Sequence, residues 1–196
     1  SFHECCISGY TFLQDLSRDE IEALAEPVPG GESTERLERL ARDLGVALLA
    51  GLVEVADGKL YNTYVAVEPA RGFVARFRKL HAFISPHISW GDRIEVFDLC
   101  GIRCAILICY DNNLVENPRI AALKGAEVVF APHVTCGLPS PMPGRGTIDR
   151  KLWEDRQRDP VPLRMEFEGP KGRGWLMRWL PARAYENGLY YVFTNP

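Results

Sequence analysis

Glu4, Lys79 and Cys109 are far apart in the chain, and each has a side chain able to do chemistry. Cys109 lies in Ile106-Leu107-Ile108-Cys109-Tyr110-Asp111, where an apolar run gives way to a polar one. A thiol at a strand-to-helix junction is held rigidly and still meets a substrate. Helix N–H groups there lower a thiol pKa or bind an anion. Taken alone, Cys109 reads more readily as a buried structural thiol than as a nucleophile. A nucleophilic thiol needs a base for its proton and a positive or hydrogen-bonding group for the developing oxyanion. His3, His81, His87 and His133 are scattered, and none is placed for the base role. Glu4 alone reads as a solvated charge, and Lys79 alone as one of several basic residues on a wet face. What changes the odds is their order: an acid near the start, a lysine at the end of a strand, then a cysteine at a strand-to-helix junction.

These side chains need elements to hold them. Ser17-Arg18-Asp19-Glu20 reads as a capping box opening a short helix to about Glu26. Leu37, Leu40, Ala41 and Leu44 fall on one helical face, and Gly45 stands at a C-terminal cap. Val46 to Val55 reads as a buried strand and Ala56-Asp57-Gly58 as a hairpin turn. Strands are expected over Leu60 to Val67 and Phe73 to Phe77, and a further pair, Ile94 to Leu99 with Ile102 to Ile108, around Gly101. Asn117 as N-cap with Pro118 behind it predicts a helix to about Lys124, ended by Gly125. A buried strand follows at Val128 to Ala131. Trp175 to Glu186 is helical with a kink or restart at Pro181, and Leu189 to Thr194 is a closing strand. This alternation predicts a mixed-sheet α/β layer fold. The stretch from Thr135 to Gly174 is rich in Pro, Gly and Arg, with one helical patch at Asp149 to Arg158. At about 40 residues it far exceeds an ordinary loop of about 4–6. A lid, a binding loop, surface decoration and an oligomer contact all suit it.

Composition narrows the function classes. The chain has 196 residues, 46% hydrophobic and 25% charged, which suits one soluble domain. Its 23 basic and 26 acidic residues give a net charge of −3, so no partnership with nucleic acid or an anionic membrane is expected. The apolar stretch at Val46 to Ala56 is interrupted by Glu54 and is too short to span a bilayer. Cys5, Cys6, Cys100, Cys104, Cys109 and Cys136 lie mostly in apolar runs typical of free buried thiols. With no CxxC pair, no His-x-x-x-His and no visible signal peptide, the expectation is a reducing, cytoplasmic setting and no metal.

The ordered set of words along the chain resembles the nitrilase, or carbon–nitrogen hydrolase, superfamily. Phe2-His3-Glu4 with Gly9-Tyr10 is similar to the family's first motif, and Arg78-Lys79-Leu80-His81 to its lysine motif. Ile108-Cys109-Tyr110-Asp111, with Glu116 and Arg119 downstream, is similar to its nucleophile motif. Gly91-Asp92, Gly125-Ala126-Glu127 and Ala182-Arg183-Ala184-Tyr185-Glu186-Asn187 also resemble words of the family. The resemblance implies an αββα sandwich of mixed sheets flanked by helices. It also implies a single domain over 1–196, incomplete at both termini, with an insertion at about 135–174.

The chemistry it implies is hydrolysis of non-peptide C–N bonds through a thioester acyl-enzyme, with no cofactor. Glu4 would be the general base, Cys109 the nucleophile, and Lys79 with the Tyr110 N–H the oxyanion donors. An ammonium beside the thiol would lower its pKa. Asp111, Glu116 and Arg119 would support the site, the last two more readily as a structural ion pair or cap than in a direct catalytic role. Tyr110-Asp111 after the nucleophile favours linear amides or N-carbamoyl compounds over nitriles. A true nitrilase, an acyltransferase and a non-catalytic module keeping the fold are the alternatives. Many members carry a second glutamate between lysine and nucleophile; Leu80 to Trp90 has no acid, and His87 is the candidate stand-in. A small-molecule partner and homo-oligomeric assembly of the full-length protein are also implied.

Overall fold

The computed structural model describes residues 1–135, 137, 139–140 and 142–196; Cys136 lies outside them. The chain divides into two compact units, Ser1–Val134 with Asn187–Pro196, and Thr135–Glu186.

In the first unit the described residues form two four-stranded mixed sheets. The first contains β1 (Leu48–Ala56), β2 (Lys59–Glu68), β3 (Gly72–Arg78) and the short β4 (Ile88–Ser89). β1, β2 and β3 are antiparallel neighbours, and β4 runs parallel to β2 at Leu60 and Tyr61. Asp57 and Gly58, both with positive φ, make the β1–β2 turn. The second sheet has the order β5 (Val96–Leu99), β6 (Ile102–Ile106), β7 (Val128–Pro132), β8 (Tyr190–Thr194). β5 and β6 are antiparallel; β6, β7 and β8 are parallel.

One core cluster takes Leu49, Tyr64, Ala66 and Phe77 from the first sheet and Cys104, Ile106 and Val129 from the second. The opposite face of the first sheet packs Ala50, Leu52, Val65 and Val67 with Leu37 and Ala41 of a helix. Each fully buried aliphatic side chain of this kind contributes about 1.5–3 kcal/mol. A smaller cluster gathers Cys5, Tyr10 and Leu13 with Ile21, Val53 and Leu60.

The helices of this unit are α1 (Arg18–Ala23), α2 (Glu32–Leu44) and α3 (Glu116–Leu123). The capping box is present at α1: Ser17 accepts from the Glu20 N–H, and the Glu20 carboxylate accepts from the Ser17 N–H. Gly45 ends α2 in the left-handed region. Leu40 and Leu44 depart from expectation and are exposed at 39% and 63%. The stripe against the sheet is narrower than their spacing suggests and runs through Thr34, Leu37 and Ala41. At α3 the helix begins at Glu116, so Asn117 is inside it rather than capping it. Its amide donates instead to the Asp111 carbonyl at 2.9 Å. Cys100 is also exposed, not buried, because it sits with Gly101 in the positive-φ turn joining β5 and β6.

The second unit contains α4 (Arg150–Glu154), capped by Asp149, then α5 (Val161–Glu168), α6 (Arg173–Leu176) and all but the last residue of α7 (Leu180–Asn187). α5 lies in a stretch expected to be irregular; Pro162 falls in its first turn, where no N–H is needed. Pro181 likewise stands at the start of α7, a restart rather than a kink. Within this unit Arg145 lies 4.8 Å from the centre of the Trp175 ring. No helix among the described residues is long and apolar enough to cross a membrane.

Candidate active site

Each of the three separated residues is held by its own device. The segment bearing Glu4 runs beside the outer edge of β1: the Phe2 N–H donates to the Leu49 carbonyl and the Ile7 N–H to the Gly51 carbonyl, both at 3.0 Å. The buried Tyr64 hydroxyl accepts from the Phe2 N–H at 3.0 Å and bonds to the Leu49 carbonyl at 3.1 Å. The approach is close enough to require Gly51, where a Cβ would stand 2.5 Å from the Cys5 nitrogen. These contacts aim Glu4 inward, with 0% exposure.

Lys79 follows β3. Its N–H donates to the Asn62 carbonyl, and its own carbonyl accepts from the Gly91 N–H, both at 2.8 Å. A Cβ at Gly91 would lie 2.2 Å from the Arg78 carbonyl oxygen, so only glycine closes the 80–90 loop in this way. The long side chain is buried, 1% exposed. Its ammonium donates to Glu4 Oε1 at 2.7 Å and to the Tyr10 hydroxyl at 3.3 Å.

Cys109 comes three residues after β6 and opens a 3-10 turn, Cys109–Asn113. The expectation of an α-helix directly behind it gives way here: α3 starts only at Glu116. The Cys109 backbone has φ of +50°, an unfavourable value for a side-chain-bearing residue, which persists because the surroundings over-determine it. Ile106, Leu107 and Ile108 before it are almost completely buried. The Asn112 amide donates to the Leu107 carbonyl at 2.7 Å and the Cys109 carbonyl at 3.2 Å. Its nitrogen also lies 3.3 Å from Nε2 of the buried His133. The first bond of the turn runs from the Asp111 N–H to the Ile108 carbonyl, so the Tyr110 N–H precedes the ladder.

The three side chains converge. Glu4 Oε1 accepts from Lys79 and from the Asn62 amide, each at 2.7 Å, and Oε2 accepts from the Val134 N–H at 3.2 Å. Cys109 Sγ lies 4.0 Å from the carbonyl of Val134, the residue whose N–H binds Glu4, and the Glu4 charge acts on the thiol. The thiol is pushed well above its ordinary value, first by burial, then by the Glu4 charge, with Lys79 opposing. This corrects the expectation of a lowered thiol pKa: burial and the carboxylate outweigh the ammonium. Burial alone would lower the Lys79 pKa, but Glu4, Cys109 and Tyr10 outweigh it and hold the ammonium charged. The resting cluster therefore keeps the thiol protonated beside an ammonium.

Asp111, fully buried, accepts from the Leu80 and His81 N–H groups at 3.2 and 3.0 Å and bonds to His81 Nδ1 at 2.8 Å. It ties the nucleophile turn to the lysine segment. Tyr110 is 42% exposed and packs edge-on to Phe83 and His81. Glu116 and Arg119 lie exposed on α3. His87 enters the described hydrogen bonds through its main-chain N–H, which donates to Ser85.

Asn62, Asn112, His133 and Val134 join the site with no expectation from the sequence behind them. Asn62 alone carries a local signal, a polar residue on the strand face that also holds Leu60 and Tyr64. Among the described residues no cluster of His, Cys, Asp and Glu suits a metal ion.

The Carbon-nitrogen hydrolase family profile matches residues 1–196. An (R)-stereoselective amidase of Pseudomonas sp is 35% identical over 196 residues, covering 99% of this chain and 57% of the relative. A nitrilase of Pyrococcus abyssi is 39% identical over 128 residues, 64% of this chain and 47% of the relative. The chain thus spans about half the length of these curated relatives. Among solved structures, a Nesterenkonia AN1 amidase from the nitrilase superfamily superposes with a TM-score of 0.64 at 22% identity, covering 99% of this chain and 62% of that one. With a match along its whole length, this chain belongs to the carbon–nitrogen hydrolase family.

Proposed function

We propose that this chain carries the catalytic centre of a hydrolase of small linear amides or N-carbamoyl compounds, acting through a thioester on Cys109. The observation that supports this most is the buried Glu4–Lys79 ion pair, with Val134 joining Glu4 to the Cys109 thiol through its N–H and its carbonyl. Glu4 takes the thiol proton as Sγ attacks the carbonyl carbon. Lys79 and the Tyr110 N–H stabilise the oxyanion. The tetrahedral intermediate collapses, ammonia or an amine leaves with the proton from Glu4, and the thioester remains. Glu4 then takes a proton from water, water attacks the thioester, and the acid departs as the thiol is restored. No step needs a cofactor or a metal.

A raised thiol pKa suits this scheme, because the thiol ionises only as it attacks and its proton has a carboxylate to go to. Asp111 acts as a strut between the nucleophile turn and the lysine segment, and selection of the substrate falls to the 80–90 loop, which carries the exposed Phe83 and Trp90. We further read the two sheets as the inner layers of an αββα sandwich and 1–196 as one domain with an insertion at about 135–174. Homo-oligomeric assembly belongs to the same reading.

The test is a mass measurement of the chain after incubation with a panel of amides and nitriles, with ammonia release followed in parallel. An acyl adduct present with amides and absent from Cys109→Ala is the expected result. An unmodified Cys109 and no ammonia across the panel overturns it. Acid and ammonia from nitriles but not amides would favour the nitrilase reading, which the Pyrococcus abyssi relative supports.

A further inference from the structure

Asn62 is 2% exposed in the middle of β2, and each of its polar groups serves a different part of the candidate centre. Nδ2 donates to Glu4 Oε1 at 2.7 Å. Oδ1 accepts from the Cys5 thiol at 3.3 Å. The main-chain carbonyl accepts from the Lys79 N–H at 2.8 Å. A carboxylate only accepts, so the amide must turn its nitrogen to Glu4. The Cys5 thiol, kept protonated by burial, holds the other end in that orientation.

Glu4 and Lys79 arrive from segments 75 residues apart, and their relative placement rests on few atoms. We propose that Asn62 is the positioning residue of this centre: its amide holds the Glu4 carboxylate beside Lys79 while its carbonyl sets where the lysine leaves the sheet. It touches no substrate and acts through the other two. Two donors on Oε1 and the Val134 N–H on Oε2 leave the carboxylate one acceptor direction for the Cys109 thiol. A leucine of similar volume would leave Oε1 with Lys79 alone, and an aspartate would set a second negative charge against Glu4. This assignment rests on the reading of Glu4 as the base.

The readout is the pH profile of Cys109 alkylation by iodoacetamide, followed by peptide mass, alongside kcat and KM on an amide. The charged and titratable groups facing Glu4 are Lys79, Cys109, Cys5 and Tyr10, and His133 and Asp111 both feel the Lys79 charge. None of them is replaced in Asn62→Ala, although the Cys5 thiol loses its acceptor. That variant loses a donor favouring the ionised carboxylate, so the acid limb moves up by about one pH unit and kcat falls roughly tenfold with KM unchanged. Asn62→Asp, close to isosteric and still an acceptor for Cys5, moves the limb further, as two carboxylates then share one site. It carries the test if the alanine variant does not fold, as judged by circular dichroism.

Limbs and kcat unmoved in folded variants, with only the unfolding temperature lowered, overturn the assignment. If the parent chain forms no acyl adduct while the alkylation limb still moves, the hydrolase reading fails and the positioning role stands. Turnover with an unmoved limb gives the reverse.

Discussion

Glu4 and Glu54 are both completely buried carboxylates, and both draw partners from the same two stretches, Asn62-Thr63 and Arg78-Lys79. Glu54 accepts from Thr63 Oγ1 at 2.6 Å, from Arg76 at 2.8 Å, and from Arg78 at 2.9 and 2.6 Å. Glu4 takes Asn62 and Lys79 instead. Successive residues of a strand point to opposite faces, so one dipeptide on β2 and one at the end of β3 feed two acid clusters on two sides of a single sheet. Thr63 stands opposite Arg78 in the register, on the face packed against α2.

The clusters differ in what fills the carboxylate. Glu54 is saturated by two guanidiniums, which do not give up protons at any ordinary pH, and a hydroxyl. Its environment holds charge in place and has nothing to exchange. Glu4 has one ammonium, one amide, one main-chain N–H and a neighbouring thiol, so one of its partners carries a proton that an attacking sulfur would release. A buried acid is a strut or a base according to whether its last acceptor site faces a fixed cation or a removable proton.

This contrast breaks most visibly at the reacting atoms. Cys109→Ala is expected to lower turnover by on the order of 10,000-fold or more, and Glu4→Gln by roughly 1,000-fold, with both variants folded. Steady-state rates with unfolding curves check this, and a Glu4→Gln enzyme at full rate would remove the distinction between the two acids. Glu54→Gln should do the opposite. It leaves two guanidiniums facing a neutral amide and lowers stability by about 2–4 kcal/mol, less than for a fully buried pair because Arg76 and Arg78 are 39% and 21% exposed. Turnover per folded molecule stays at the parent value; urea titration and rate on the same sample decide it.

A smaller effect lies on the Glu4 side, in acid. Burial first, and the Lys79 charge second, lower His133 to about 3 from an ordinary 6.5. The folded chain keeps this imidazole neutral, whereas the unfolded chain takes up a proton below about 6.5. The stability involved is complete above that pH and is lost as pH falls toward 3, at up to about 1.4 kcal/mol per unit. His133→Gln should make the loss between pH 7 and 5 shallower by that measure in urea unfolding; an identical slope would show that His133 does not carry it. The smallest expected change belongs to neither cluster. Ser17→Ala removes the α1 cap for about 1 kcal/mol and leaves the rate unchanged, which sets the scale of a purely local loss.

Local chemistry explains why much of the fold was legible in advance. The capping box at Ser17, the turn at Asp57-Gly58, the cap at Gly45 and the alternation of β2 act over a few residues, and each is written in a few residues. Errors came where partners were distant. Asn117 has the composition of an N-cap, yet its amide serves the Asp111 carbonyl, and the helix starts without it. Leu40 and Leu44 have the right helical spacing, but the width of the buried stripe is set by the sheet beneath.

The residue types of Glu4, Lys79 and Cys109, and their order, were determined by the sequence alone, as were the strands that end beside two of them. Their meeting was not. It depends on a Gly51 that admits the Cys5 backbone, a Tyr64 hydroxyl that pins Phe2, and an Asp111 that spans two segments. The protonation of the centre was likewise decided by tertiary structure. A lysine beside a cysteine suggested a lowered thiol pKa, and burial with the Glu4 charge reversed that direction. Desolvation depends on everything that surrounds a group, and no spacing along the chain records it.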